Sequence, residues 1–198
     1  MKILGISASP RAGKTSKVAL EAALAGAKEA VPQVETVLVE LAGKTIHGCL
    51  ACGKCAKELS CSQDDDFNAL IPLLDDPDLA GIITATPIYF GSLTSQAKAF
   101  WDRAVMFRRH GFKLRNKVGG AIGVGGFRNG GQELAIQTLH AIMLVQDMVI
   151  VSDGMPTSHF GGTCVSGAAG SLDDDDFGLG TCRGLGRRVA EVAAKLAG

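Results

Sequence analysis

The run Lys2 to Ser7 passes directly into Ala8-Ser9-Pro10-Arg11-Ala12-Gly13-Lys14-Thr15-Ser16. Ile3-Leu4-Gly5-Ile6 is apolar on both faces, the pattern of a parallel strand covered on both sides. Hydroxyls follow at Ser7, Ser9, Thr15 and Ser16, with Arg11 and the small Gly13 among them. Val18-Ala19-Leu20 then begins a helical pattern. A buried strand that turns straight into a helix points to an alternating α/β chain. Free N–H groups at the helix start, hydroxyl donors and one guanidinium make a site for a phosphate group. The simpler alternative is an ordinary capped helix after a serine-rich turn.

Gly13-Lys14-Thr15 looks like the tail of a triphosphate loop, G-x-x-x-x-G-K-[ST], but the first glycine of that pattern falls on Ala8. The strand at Gly81 to Thr86 ends in Ala-Thr-Pro, with no aspartate to hold magnesium through water. The dinucleotide fingerprint G-x-G-x-x-G is absent from the turn as well. What remains is a hydroxyl-rich loop suited to a terminal monophosphate such as that of FMN.

The length of 198 residues suits one domain with a real core, and 46% hydrophobic against 20% charged residues suits a globular chain. A net charge of +0 argues against broad nucleic-acid binding. No apolar run reaches the roughly 18 residues that span a bilayer, so no membrane partner is expected. Met1-Lys2-Ile3 enters the first strand at once, so the expectation is no signal peptide and a reducing cytoplasm. Six cysteines in that setting read as ligands or thiols rather than disulfides.

Strands are expected at Lys2–Ser7, Val34–Leu41, Ala80–Thr86, Val118–Val124 and Met148–Val151. Helices are expected at Lys14–Ala30, from Asp64-Asp65-Asp66 through Leu74, at Leu93–Phe107, at Gln132–Leu144 and at Leu185–Leu196. A cysteine-rich loop fills residues 46–63, and 153–180 reads as an irregular insertion. Right-handed crossovers then favour a single doubly wound domain over 1–198, with five parallel strands in the order 2-1-3-4-5. Ligands in such sheets lie beyond the carboxyl ends of the strands at the switch point. Three loops meet there: Ser7–Ser16, Pro87–Ser92 and Gly125–Gly131.

These loops suit a flavin mononucleotide. Phosphate contacts fall on Ser9, Arg11, Thr15 and Ser16. Pro87, Ile88, Tyr89, Phe90, Gly91 and Ser92 supply apolar and aromatic surface plus N–H groups for a flat ring, and Gly125 and Gly126 admit close backbone approach. Donors at the pyrimidine edge would stabilise the charge gained on reduction. Tyr89 and Phe90 could instead be loop packing, and Gly125-Gly126 a tight turn.

Ser9-Pro10-Arg11-x-x-x-Thr15-Ser16, Thr86-Pro87-Ile88-Tyr89 with Gly91 and Ser92, and Gly130-Gly131-Gln132-Glu133 together resemble the flavodoxin-like NADPH-dependent FMN reductases. The resemblance covers most of the chain and weakens after about Asp153. It implies a flavodoxin-like fold, FMN, and an NAD(P)H:acceptor or electron-transfer activity with NAD(P)H as candidate donor. No side chain need act as acid or base, because the flavin does the redox work.

Cys49, Cys52, Cys55 and Cys61 follow C-x2-C-x2-C-x5-C. Thiolates this close can wrap one cluster; bacterial ferredoxins use a similar C-x2-C-x2-C run, but there the fourth cysteine of the run serves another cluster, whereas here Cys61 is the only nearby fourth ligand. A four-cysteine zinc site and a metal-free loop are the alternatives, although zinc sites usually pair knuckles set further apart. The run resembles that of the iron–sulfur flavoproteins, a branch of the same reductases, and this resemblance implies a 4Fe-4S cluster on these four cysteines. Such a protein would pass electrons between cluster and FMN. The alternatives are a cluster-free NAD(P)H-dependent reductase of flavin, quinones or nitro compounds, or a non-enzymatic FMN electron carrier.

Arg108, Arg109, His110, Lys113, Arg115 and Lys117 form a basic group, read as a helix end with a solvated loop or as a dock for an acidic electron carrier or a 2′-phosphate. Asp173 to Asp176 reads as an acidic loop or helix start. His47 could tune a cluster, His140 reads as packing and His159 is unassigned, while Cys164 and Cys182 read as free thiols, with a role near the flavin as the alternative. The partners expected are a redox small molecule or an electron-carrier protein. A shallow flavin site and a long loop at 153–180 suggest a homodimer or homotetramer whose neighbour closes the site.

Overall fold

Strand β1 (Lys2–Ser7) lies between β2 (Glu35–Glu40) and β3 (Leu79–Pro87), parallel to both. Strand β4 (Val118–Gly125) joins β3, and the short β5 (Val149–Ile150) joins β4. The order is β2-β1-β3-β4-β5, all parallel, as the alternating pattern predicts. This computed structural model describes residues 1–197. Ser7, Ala85 and Ile122 stand in register, so the carboxyl ends of the three central strands finish together.

Each sheet face carries its own core. On one side α1 (Thr15–Ala30) and α6 (Asp176–Ala197) pack Leu20, Leu24, Leu185 and Val189 over Ile3, Ile83 and Ile122. The other side receives α3 (Ser95–Arg103), α4 (Val105–Arg109), α5 (Gln132–Val145) and the segment carrying α2 (Ile71–Leu74). There Phe67, Phe100, Trp101, Phe107 and Leu139 cover Leu4, Ile6, Ile82 and Ala121. This double cover is why β1, β3 and β4 read as nearly continuous apolar runs.

Four elements depart from the sequence expectation. The helix expected from Asp64 shrinks to a 3-10 turn at Asn68–Leu70 and the single turn α2, because Asp65 and Asp66 cap the amides of Phe67, His47 and Thr45 instead of starting a helix. The helix expected over Leu93–Phe107 begins at Ser95 and is interrupted at Ala104, whose carbonyl accepts Phe107 N and the buried Gln146 Nε2, both at 3.0 Å. Residues 153–180 are not irregular throughout. They contain β6 (Gly162–Val165), which pairs Ile122–Gly125 of β4, and the first residues of α6. β5 and β6 therefore share the sheet position beside β4, one along its amino half and one along its carboxyl half.

The helix α6 starts nine residues before the expected Leu185 despite glycines at 178, 180, 184 and 186. Gly178, Gly184 and Gly186 are places of close approach, whereas Gly180 faces open space: a Cβ on Gly186 would lie 1.7 Å from Ala23 O, one on Gly184 2.5 Å from Asp153 O, and one on Gly178 2.7 Å from Thr163 O. The glycines lower helix propensity but let α6 sit against α1 and the strand position beside β4.

Candidate functional site: a flavin crevice and a cysteine pocket

The carboxyl ends of β1, β3 and β4 bring the three expected loops together. Ala8 N donates to Ala85 O at 2.8 Å, and Ile88 N donates to Val124 O at 3.0 Å, which ties the first loop to β3 and the second to β4. In the first loop Ser9, Thr15 and Ser16 are buried and Arg11 is exposed. Ser9 Oγ accepts Arg11 N at 3.1 Å, and Glu40 Oε1 accepts Gly13 N at 2.8 Å. No side chain caps α1, whose N-cap is Lys14. Ser7 Oγ, at the end of β1, is buried without a partner. An uncapped 16-residue helix start ringed by hydroxyls fits a phosphate.

In the second loop Tyr89 and Ser92 exchange backbone hydrogen bonds at 3.0 and 3.1 Å. Phe90 (φ 49°) and Gly91 (φ 73°) form the two-residue turn between them, with the positive angles of a type I′ hairpin. The turn points Phe90 outward, with 110% relative exposure, and leaves Tyr89 exposed. Loop packing therefore does not explain this aromatic pair. The third loop reaches the second through Gly131 (φ 102°), where a Cβ would lie 2.8 Å from Gly91 Cα. Gly125 faces Gln132, whose Nε2 donates to Phe127 O at 2.8 Å and folds the loop back, while Gly126 faces open space.

Thr94 joins these loops and has no sequence motif to announce it. Its Oγ1 donates to Ala8 O at 2.7 Å and accepts Ala97 N at 3.2 Å as the cap of α3, while its own N donates to Thr86 Oγ1 at 3.2 Å. One buried threonine thus links the first loop, the end of β3 and α3. A threonine two residues after a loop serine was the only available signal.

A cavity of about 720 Å³ lies on the far side of the third loop, lined by Arg128, Asn129 and His159 among others. Phe177 at the start of α6 borders it, and its ring meets that of His159 edge-on at 6.4 Å. Neither of the first two loops contributes to it. Asp153 is buried and accepts His159 N and Thr157 Oγ1, which orders the 153–159 loop.

The second candidate centre is the cysteine run. Cys49, Cys52, Cys55 and Cys61 all line one pocket, closed by Arg103, Val105, Met106 and Arg109. A left-handed Gly53 (φ 79°) starts the 3-10 turn at Lys54–Ala56 and folds the run back on itself. Among the described residues, no three His, Cys, Asp or Glu side chains converge tightly enough for one metal ion. The Ser62 hydroxyl, 3.0 Å from Cys52 Sγ, and the Lys54 amide hold the Cys52 thiol below the ordinary cysteine range. Arg109 Nη1 lies 3.2 Å from Cys55 Sγ, and His110 Nε2 lies 2.9 Å from Cys55 O.

Arg103 supplies the buried side of this pocket. Its side chain, 1% exposed, pairs with Asp65 and stacks over Phe67 at 4.6 Å. Burial would raise the Asp65 pKa, but Arg103 and the amides of His47 and Phe67 outweigh it and hold the carboxyl below the usual carboxylate range. Burial would likewise lower Arg103, yet Asp65 and the Cys61 thiol hold it above its ordinary value. Four sulfur donors on one loop beside two guanidinium groups fit an anionic thiolate cluster. Elsewhere in the basic group Lys113 pairs with Asp75 at 2.6 Å and Arg115 with Asp147 at 3.1 Å, while Arg108 lies over the Phe112 ring at 5.2 Å. Cys164 and Cys182 lie apart from this pocket, buried with their sulfurs 3.5 Å from each other. His140 is in α5 with Nε2 buried and unpartnered.

Residues 1–162 match the family described as NADPH-dependent FMN reductase. The chain is 45% identical over 193 residues to an iron–sulfur flavoprotein of Methanocaldococcus jannaschii, with 97% of each chain covered. It is 40% identical over 192 residues to an iron–sulfur flavoprotein of Methanosarcina thermophila, covering 97% of this chain and 95% of that one. A flavodoxin, WrbA-like protein from Agrobacterium tumefaciens superposes with a TM-score of 0.63 over 98% of this chain and 97% of that one, at 21% identity, a likeness of fold alone. With identity and coverage this high, the chain belongs to the NADPH-dependent FMN reductase family, in its iron–sulfur flavoprotein branch, and is a flavin-dependent oxidoreductase.

Proposed function

We propose that this oxidoreductase binds FMN in the crevice between its three loops and a 4Fe-4S cluster on Cys49, Cys52, Cys55 and Cys61, and passes electrons between them. The observation that carries the second half is that all four cysteines line one pocket with Arg103 and Arg109. Bound there, a cluster would supply one-electron transfer beside a flavin able to carry one or two electrons. Ser9, Arg11, Thr15 and Ser16 take the phosphate at the start of α1. Pro87, Ile88, Tyr89, Phe90, Gly91 and Ser92 offer the ring an apolar edge, and the Gly125-Gly126 backbone approaches it from the β4 side. Arg103 and Arg109 offset the charge of four thiolates. No side chain is assigned a proton-transfer role.

NAD(P)H is the candidate electron donor, and a redox small molecule or an electron-carrier protein the candidate acceptor. The exposed Phe90 and Tyr89 support a homodimer or homotetramer whose neighbour covers the flavin ring. Six free thiols suit a reducing cytoplasm, and among the described residues no helix is long and apolar enough to cross a membrane. Anaerobic purification followed by FMN, iron and labile-sulfide analysis tests the proposal. The expected result is flavin together with about four irons per chain, lost in Cys55→Ser while the flavin stays. Flavin without iron in the wild-type chain would leave the second reading, a cluster-free NAD(P)H reductase. That reading is favoured by the absence of converged metal ligands among the described residues.

A further inference from the structure

Arg103 is more than half of a buried ion pair. Asp65 engages only its Nη1, which also donates to His47 O at 3.3 Å. Among the described residues, Nε and Nη2 are buried with no partner. Two charge-bearing donors left unsatisfied in a side chain 1% exposed are costly, and native structures rarely leave such groups orphaned without a reason. The same side chain lines the pocket that holds Cys49, Cys52, Cys55 and Cys61. Asp65 is in turn held from behind by the amides of His47 and Phe67 at 3.0 and 3.1 Å. The guanidinium is clamped on one edge by Asp65 and on one face by Phe67, with its other donors uncommitted.

We infer that Arg103 is the tuning residue of the metal centre: its uncommitted Nε–H and Nη2–H groups serve the sulfur atoms of the group held on the four cysteines, and its charge sets that group's reduction potential. The inference rests on the cluster reading above and deepens it. A fixed cation beside a thiolate cluster favours the more negative, reduced state, so Arg103 raises the potential. Asp65 acts through Arg103, holding Nη1 and so aiming the guanidinium. Arg109 reaches the opposite part of the run at Cys55 from the exposed end of α4, where solvent screens its charge. The break at Ala104 between α3 and α4 lets both arginines, six positions apart, address the same pocket.

The test is a potentiometric titration of anaerobically purified protein, followed by visible and electron paramagnetic resonance spectra, with iron, sulfide and FMN measured on each sample. Arg103→Gln removes charge and leaves Asp65 buried alone, so Asp65→Asn/Arg103→Gln supplies a form with no unpaired charge, and Arg103→Lys keeps the charge without the forked donors. Circular dichroism reports whether each is folded. The expected result is a cluster midpoint shifted to more negative potential in Arg103→Gln and, less, in the double variant, with Arg103→Lys nearest wild type and flavin content unchanged. Folded variants that lose iron while keeping flavin also support the role. Variants that keep iron at the wild-type midpoint overturn it and leave the cluster reading intact. Iron-free wild-type protein overturns both.

Discussion

Gly131 and Gly91 meet backbone to backbone, so closely that a Cβ on Gly131 would lie 2.8 Å from Gly91 Cα. This contact joins the loop after β4 to the hairpin after β3, the two segments that flank the flavin ring in the proposed site. With φ at 102°, position 131 is also strained for any L side chain. Gly131→Ala is therefore expected to cost about 1–3 kcal/mol of stability and to weaken FMN binding, because the two loops must part. Thermal melts with and without FMN measure both. An unchanged melting temperature and flavin affinity would show that the contact is dispensable.

Phe90 should behave in the opposite way. It stands fully in solvent at the tip of its turn, so Phe90→Ser should leave the stability of the flavin-free chain within about 0.5 kcal/mol. Flavin affinity, or the oligomeric state, should nevertheless fall. A variant that loses neither would remove the aromatic edge from the proposed site.

Thr94 joins two loops and a helix through one hydroxyl. Thr94→Val keeps the shape and strands Ala8 O and Ala97 N, at an expected cost of about 1–3 kcal/mol in denaturant unfolding. Thr94→Ser, which keeps the hydroxyl, should recover most of it.

The Asp65–Arg103 pair gives a pH signature. The folded-state pKa of Asp65 is depressed, so its contribution is present above the unfolded carboxylate value near ~3.9 and is lost as pH falls through the lower folded value. Asp65→Asn should cost about 3–5 kcal/mol at neutral pH, where it leaves Arg103 buried and unpaired. The gap between wild type and variant should narrow on acidification below about pH 4. A gap that is constant from neutral pH to about pH 2 would mean that the carboxylate charge does not stabilise the fold.

The sheet order and the meeting of the three loops were legible because buried parallel strands write long apolar runs, as at Ile3–Ile6 and Ile82–Ile83, and because turns after such strands carry small and hydroxyl residues. The run of four cysteines was legible from spacing. Its electrostatic partners were not: Arg103 and Asp65 are 38 positions apart, and a buried pair leaves no periodic trace. Thr94 was missed for the same reason, its acceptor Ala8 O lying 86 residues away. β6 and the start of α6 were read as irregular because their glycines lower every local propensity. The small residues there allow close approach, since a Cβ on Gly162 would lie 2.8 Å from Cys182 Sγ and one on Gly178 2.7 Å from Thr163 O, which local sequence does not record.

The most direct test of the flavin crevice compares FMN with riboflavin, which has the same ring and no phosphate, by fluorescence quenching on flavin-stripped protein. If the start of α1 with Ser9, Arg11, Thr15 and Ser16 grips the phosphate, FMN should bind about a hundredfold tighter, roughly 2.7 kcal/mol, and Arg11→Ala should erode the difference. Equal affinity for the two flavins, or tight ATP binding with no flavin bound, would contradict it.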